Sequence, residues 1–157
     1  MSNSKPIPTS NEVIESAVIA APLSHVWHLI KLRDFSKWWS AIDDASSTEG
    51  VNTAEPDVQV VNWKFKDGTV LQVKQDEHSN LDHFITYSVI NSEPALAYSS
   101  VVSTIRCWPV TSGEKAGCTY VQWTSKFSSD ADAGVIQDAK FKRRDALADL
   151  ARAAAKK

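Results

Sequence analysis

Five short segments between residues 58 and 127 alternate apolar with polar residues or are rich in β-branched residues. This pattern constrains the fold more than any other feature, because period-two alternation is typical of strands with one face in a core. Turn residues separate the segments, as at Lys66-Asp67-Gly68, and the short loops predict antiparallel neighbours. The predicted strands of this meander are Val58–Lys66, Thr69–Glu77, His83–Ile90, Ala97–Trp108 and Cys118–Phe127.

The segment before the meander combines one strand with helical turns. Val13–Ala20 is a β-rich run that ends at Pro22, and two short helices are predicted at Leu23–Leu32 and Phe35–Trp39. A further short strand is predicted near Ser46–Glu49. A long helix follows the meander, and helices on both sides of an antiparallel sheet indicate the α+β class.

The predicted C-terminal helix, Ala133 to Ala155, has an apolar face made largely of small residues. Most charged residues, including Asp149, are predicted on the opposite face. Arg143 projects from the middle of the apolar face, where an unpaired guanidinium would be costly to bury. The predicted inner face consists of Val135, Ile136, Ala139, Ala146, Leu147, Leu150, Ala153 and Ala154.

The length and composition predict one domain, residues 12–157, after a loose tail of residues 1–11. A net charge of −2 without a clustered basic surface argues against nucleic acid as a partner. No stretch has the roughly 18 apolar residues of a membrane span, and the first residues lack the apolar run of a signal peptide. We therefore expect a cytoplasmic protein.

Several motifs occur in an order and at a spacing that resemble a known superfamily. The sequence is similar to the START-like, pollen-allergen-like helix-grip proteins, and within them to the polyketide cyclase/dehydrase-type branch. The resemblance covers residues 12–151. The motifs are Ala21-Pro22-Leu23-Ser24-His25-Val26-Trp27, Asp34-Phe35-Ser36-Lys37-Trp38-Trp39, Phe65-Lys66-Asp67-Gly68, Tyr87-Ser88-Val89, the stretch from Tyr98 to Arg106, and Val121-Gln122-Trp123.

This resemblance implies a curved antiparallel sheet of about seven strands around the C-terminal helix, with a cavity between them. Relatives bind lipids, steroids, hormones or aromatic metabolites there, and a minority cyclise, dehydrate or isomerise them. Some of these enzymes use an arginine and a glutamate on adjacent strands. The aligned residues here are Val61 and Leu71, which are apolar, so binding is favoured over catalysis.

The alternation predicts which side chains face the helix, and these are the candidate ligand-binding residues. The same residues could instead form a solid core. Arg143 could hold a ligand carboxylate, phenolate or carbonyl, or it could reach the cavity mouth or pair with Glu15. The candidates are Arg143, Trp63, Tyr87, Trp123, Val61, Leu71, Ile85, Ala139, Leu147 and Trp39.

Histidine, cysteine and lysine patterns indicate no metal site and no cofactor. His25 and His28 could share a metal, but they lie opposite the apolar face of their helix and are predicted at the surface. Cys107 and Cys118 are predicted on opposite faces of a hairpin, as reduced thiols. Asp138, Asp145 and Asp149 are interleaved with the basic residues of 140–144 around the helix, which indicates a solvated, salt-bridged surface.

Three functions therefore remain open: a carrier of a small apolar or aromatic molecule, a cofactor-free cyclase, dehydratase or isomerase, and an interaction domain with a closed core. A second titratable group beside Arg143, such as Glu15, His83 or Tyr87, would favour the enzyme. We expect a monomer, and no catalytic residue is assigned.

Overall fold

The computed structural model describes residues 10–47 and 59–155. The predicted α+β class and helix-grip architecture are confirmed, since one seven-stranded antiparallel sheet is followed by a long helix. The strand order is β1-β7-β6-β5-β4-β3-β2. In chain order the elements are β1 (Glu12–Ile19), α1 (Leu23–Leu29), a 3₁₀ helix (Leu32–Lys37), β2 (Ile42–Ser47), β3 (Val60–Phe65), β4 (Val70–Ser79), β5 (Phe84–Glu93), β6 (Val101–Pro109), β7 (Thr119–Phe127) and α2 (Ala133–Ala155).

Strand alternation builds the inner face of the sheet. On β7 every second residue from Thr119 to Phe127 is buried, and on β6 the same holds from Val101 to Cys107. The registers align these residues in rows across the sheet, for example Tyr87 opposite Ser103, Ser103 opposite Ser125, and Ser125 opposite Val13. Adjacent strands therefore present one continuous inner surface to α2.

Helix α2 lies against this surface through small and apolar side chains. Ala139, Ala146, Leu147 and Leu150 are all buried, as the periodicity predicts. The prediction for Asp149 is wrong: it is only 8% exposed, and its carboxylate accepts hydrogen bonds from Ser40 N and Oγ at 2.9 and 2.7 Å. The loop between the 3₁₀ helix and β2 packs on α2, which an idealised helical wheel cannot show.

Buried apolar residues form two clusters. The large cluster joins α1, the 3₁₀ helix and the inner face of β3–β7 to the C-terminal half of α2, with Phe35, Trp123 and Leu147 at its centre. The small cluster consists of Val13, Val101, Phe127, Ala131 and Ala139, at the other end of β1, β6 and β7 and the N-terminal half of α2.

Several predicted boundaries differ from the observed ones. The first helix ends at Leu29 instead of Leu32, because Ile30 leaves the helical region and Lys31 is extended. The predicted strand Ala97–Trp108 begins only at Val101, and the preceding residues form a loop. Residues 1–9 of the predicted tail, residues 48–49 of the predicted short strand and Val58 lie outside the described residues.

Both cysteines are free thiols, and Cys107 is buried on the inner face. Burial raises the pKa of the Cys107 thiol to about 12. None of the helices in the two described ranges is long and apolar enough to span a membrane.

Candidate functional site

A cavity of about 460 Å³ lies between the sheet and the N-terminal half of α2. Its volume falls within the range of small-molecule sites in proteins. It touches both apolar clusters, because Trp39, Trp63 and Tyr87 come from the large one and Val101 and Ala139 from the small one. The interior is therefore divided by a space that no side chain of the described residues fills.

The cavity wall is mainly apolar and aromatic, and it follows from strand alternation. Trp63 and Phe65 on β3, Tyr87 and Val89 on β5, and Leu71 on β4 all face inward. Trp63 is held in place because its indole N–H donates to Leu32 O at 2.8 Å. Small side chains oppose these bulky ones on α2, Ala139 in particular, and this pairing leaves the space open.

The mouth of the cavity carries charges. It is bordered by the β3–β4 turn with Lys66 and Asp67, and by Asp138 and Lys142 on α2. Asp138 and Lys142 form a salt bridge of 2.8 Å. Hydrogen bonds from Thr69, assisted by the charge of Lys142, lower the pKa of Asp67. These exposed acids therefore have partners of their own at the rim.

A loop between β5 and β6 forms the remaining lip of the mouth through Leu96 and Tyr98. It is tied to the chain before α2, because the Asp130 carboxylate accepts hydrogen bonds from the backbone N–H and the hydroxyl of Ser99. Asp130 also accepts from the Ser128 hydroxyl. Hydrogen bonds from Ser128 and Ser99 lower the pKa of Asp130 to about 2.

Arg143 lies where the two clusters and the cavity meet. Its guanidinium carbon is 5.7 Å from the ring centre of Trp123 and 5.8 Å from that of Phe127. Nε donates to Ser125 Oγ at 2.8 Å and Nη1 to Ala139 O at 3.3 Å. Nη2 has no acceptor within the described ranges. The side chain thus borders the cavity with donor capacity unused.

No carboxylate of the described residues forms a salt bridge with Arg143. Glu15, the partner considered from sequence, pairs with Arg144 on the next helix position at 3.0 Å. Burial lowers the pKa of Arg143, and electrostatic interactions with Tyr87, Tyr98 and the rim carboxylate of Asp138 oppose this shift. The guanidinium remains a cation, because arginine keeps its proton in proteins.

A row of buried hydroxyl groups extends from Arg143 across the sheet, and the sequence analysis missed it. Ser125 Oγ lies 2.7 Å from Ser103 Oγ, and Ser103 in turn contacts the Tyr87 hydroxyl. The indole N–H of Trp123 donates to Tyr87 Oη at 3.1 Å. Burial raises the pKa of Tyr87, so this phenol is protonated at neutral pH. Ser103 and Tyr87 both line the cavity.

The cavity brings together six of the ten candidate residues: Trp39, Trp63, Leu71, Tyr87, Ala139 and Arg143. The other four, Val61, Ile85, Trp123 and Leu147, lie in the large cluster away from the cavity wall and are at most 2% exposed. The strand residues among the ten, such as Trp63 and Tyr87, lie on the inner face of the sheet, as alternation predicts. The four that do not reach the cavity sit where side chains from α1 and the 3₁₀ helix fill the space.

The histidines considered from sequence lie away from the cavity. His78 and His83 pack against the ring of Trp27, with centroid distances of 5.3 and 5.7 Å, beside the β4–β5 turn. Across residues 10–47 and 59–155, no group of three or more His, Cys, Asp or Glu side chains could hold a metal ion. Tyr87 is the one titratable candidate of the three proposed partners that lines the cavity with Arg143.

Solved structures share this fold at low sequence identity. Protein XoxI from Bacillus cereus superimposes with a TM-score of 0.75 and 21% identity, covering 90% of this chain and 94% of its own. A protein from Bacillus thuringiensis gives 0.74 and 21%, covering 90% and 97%. A protein from Nitrosospira multiformis gives 0.73 and 22%, covering 92% and 97%.

Sequence comparison gives the family. None of the curated proteins matches the chain significantly. The family model described as polyketide cyclase/dehydrase and lipid transport, however, matches residues 11–155. The START-like resemblance is thereby confirmed, and the chain belongs to the polyketide cyclase/dehydrase and lipid transport family.

Proposed function

We propose that this protein binds a small apolar or aromatic molecule in the cavity between its sheet and α2, with Arg143 holding the polar end of that molecule. The observation that carries the proposal is the combination of a 460 Å³ space, a largely apolar wall and a desolvated cation without a carboxylate partner in the described chain. An empty space and an unpaired buried cation each reduce stability, so a ligand that fills one and pairs with the other explains both.

The family description supports this proposal in general terms, because it names lipid transport beside cyclase and dehydrase activity. Of the candidate cavity residues, Trp39, Trp63 and Leu71 would contact the apolar body of the ligand, and Ala139 would limit its width. Val61, Ile85, Trp123 and Leu147 would act indirectly, by keeping this wall rigid.

Native mass spectrometry of protein purified from its own source tests the proposal. We expect a co-purifying small molecule that is lost from an Arg143→Ala variant. The matched control is Arg144→Ala, since Arg144 is the neighbouring residue on α2 and pairs with Glu15 outside the cavity. Retention of the molecule by Arg143→Ala would contradict the anchoring role, and the failure of any apolar compound to bind would contradict the carrier function.

Tyr87 favours a second candidate, a cofactor-free isomerase or cyclase that uses the same cavity. Its phenol lines the cavity and interacts electrostatically with Arg143, so it could donate a proton while Arg143 stabilises a developing oxyanion. A Tyr87→Phe variant separates the two functions. Conversion of the bound molecule by the wild type but not by the variant, with binding retained in both, would establish the enzyme.

A further inference from the structure

The pattern of hydrogen-bond donors in the cavity identifies the chemical class of the ligand. This step rests on the proposed function, because it assumes that the cavity is a binding site. We infer that the ligand is an apolar or aromatic carboxylate, whose two oxygen atoms accept hydrogen bonds from Arg143 on α2 and from the hydroxyl pair of Tyr87 and Ser103 on the sheet.

The hydroxyl row of Tyr87, Ser103 and Ser125 contains more protons than the row itself can accept. Both ends of the row receive a hydrogen bond from a group that only donates, the Trp123 indole N–H and the Arg143 guanidinium. Three hydroxyl groups carry three protons, but they have at most two links among themselves. At least one proton therefore remains without an acceptor in the row.

The proton without an acceptor in the row points toward the cavity. Ser125 is fully buried, whereas Tyr87 and Ser103 border the cavity. Because Ser125 is fully buried and accepts from Arg143, its own proton is best satisfied by donation to Ser103. The unused proton then belongs to Ser103 where Tyr87 donates to Ser103, or to Tyr87 where Ser103 donates to Tyr87. In both arrangements it points to the cavity. Within residues 10–47 and 59–155 these hydroxyls donate to no acceptor outside the row, so this proton is available to water or to a ligand oxygen in the cavity.

The charged side chains around the cavity favour an anionic ligand. The lining acids, Asp67 and Asp138, both lie at the exposed rim and have partners there. Among the residues that the structure describes, the inner wall thus contains a cation, unused donors and no carboxylate. Such a wall is complementary to an anion and repels an amine. The donors belong to two neighbouring elements, Arg143 to α2 and the hydroxyl pair to the sheet, so a head group with two acceptor oxygens satisfies both.

Isothermal titration calorimetry with two series of compounds tests this inference. Within each series the apolar body stays the same and the head group changes. One series is 2-naphthoate, 2-naphthamide and 2-naphthylmethylammonium, and the other is decanoate, decanamide and decylammonium. We expect the better-fitting carboxylate to bind about tenfold to a hundredfold more tightly than its amide, and the ammonium to bind most weakly.

Variants show which side chains cause the preference for the carboxylate. Arg143→Met should remove the preference for the carboxylate, whereas the matched control Arg144→Met should retain it. Tyr87→Phe and Ser103→Ala should each have a small effect, because either remaining hydroxyl can direct a proton into the cavity. The double variant leaves neither, and we expect it to weaken carboxylate binding about tenfold.

The results distinguish the carboxylate assignment from the proposed binding function. The comparison of the six compounds uses the wild-type protein, so it does not depend on whether a variant folds. Equal affinities for carboxylate, amide and ammonium would overturn the carboxylate assignment and leave the binding function in place. If none of the six compounds bound, the proposed function itself would fail. A carboxylate preference that Arg144→Met removed and Arg143→Met retained would also overturn the inference.

Discussion

The two ends of the interior are built from the same sheet and the same helix, yet only one of them is solid. In the large cluster, aromatic rings from the 3₁₀ helix fill the space above the sheet, with Phe35 stacked on Trp63 at 4.9 Å and edge-on to Trp123 at 6.2 Å. The small cluster contains no residue of α1 or of the 3₁₀ helix, and its member Ala139 lines the cavity. The insertion of helices after β1 thus decides which part of the interior is packed and which part stays open.

The difference in packing between the two parts of the interior should appear most clearly when one leucine in each part is replaced by alanine. Leu147 lies in the large cluster and is 2% exposed, whereas Leu71 borders the cavity. Leu147→Ala should lower the free energy of unfolding by about 2–5 kcal/mol, because a rigid core cannot collapse around the lost atoms. Leu71→Ala should cost less than about 2 kcal/mol, because one side of this residue already lacks packing partners.

Urea unfolding, followed by tryptophan fluorescence and circular dichroism, measures both values. Equal losses for the two leucines would contradict the division of the interior into a solid and an open part.

Two alanines on α2 test the same division when each is replaced by the larger leucine. Ala146 is fully buried in the large cluster, and Ala139, seven residues earlier, faces the cavity. Ala146→Leu should destabilise the protein by about 1–3 kcal/mol through overpacking. Ala139→Leu should change stability by less than about 1 kcal/mol, since the added atoms enter empty space.

Ligand titration distinguishes this pair further. Ala139→Leu should weaken the binding of 2-naphthoate or decanoate, because it removes cavity volume. Unchanged binding in Ala139→Leu would place the binding site elsewhere.

The smallest expected effect concerns the lip of the cavity mouth and its dependence on pH. Because the pKa of Asp130 is lowered to about 2 in the folded protein, its hydrogen bonds to Ser99 and Ser128 stabilise the lip above pH 4. This contribution is lost as the pH falls from about 4 to about 2. The backbone amide resonance of Ser99 should titrate with a midpoint near 2.

An Asp130→Asn variant should lose this titration, whereas Asp82→Asn, in the β4–β5 turn at the opposite end of the sheet, should keep it. A Ser99 midpoint at the ordinary pKa of an aspartate would show that the lip is not held by Asp130.

The sequence predicts the inner face of each element better than the position of a residue along that face. Period-two alternation correctly places Trp63, Tyr87 and Trp123 inward, but it does not say that the 3₁₀ helix fills the space near Trp123. Helical periodicity places Ala139 and Ala146 on one face and does not separate the open part from the solid one. That separation depends on long-range packing of segments distant in sequence.

The polar part of the site left only a weak signal in the sequence. Ser103 and Ser125 occupy inward positions between apolar residues, where a polar side chain needs a buried partner. That irregularity could have identified the hydroxyl row opposite Arg143. Tyr98 could not be identified as a lip residue, because the predicted strand Ala97–Trp108 included it in the sheet.

The most direct test of the central claim is to locate a bound carboxylate by NMR. In the complex with 2-naphthoate, or with decanoate if it binds more tightly, we expect intermolecular nuclear Overhauser effects to the methyl groups of Leu71, Val101 and Ala139. The methyl groups of Ile85 and Leu147, in the solid cluster, should show none. Effects confined to Ile14 and Val18, whose side chains are exposed on the outer face of the sheet, would contradict an internal binding site.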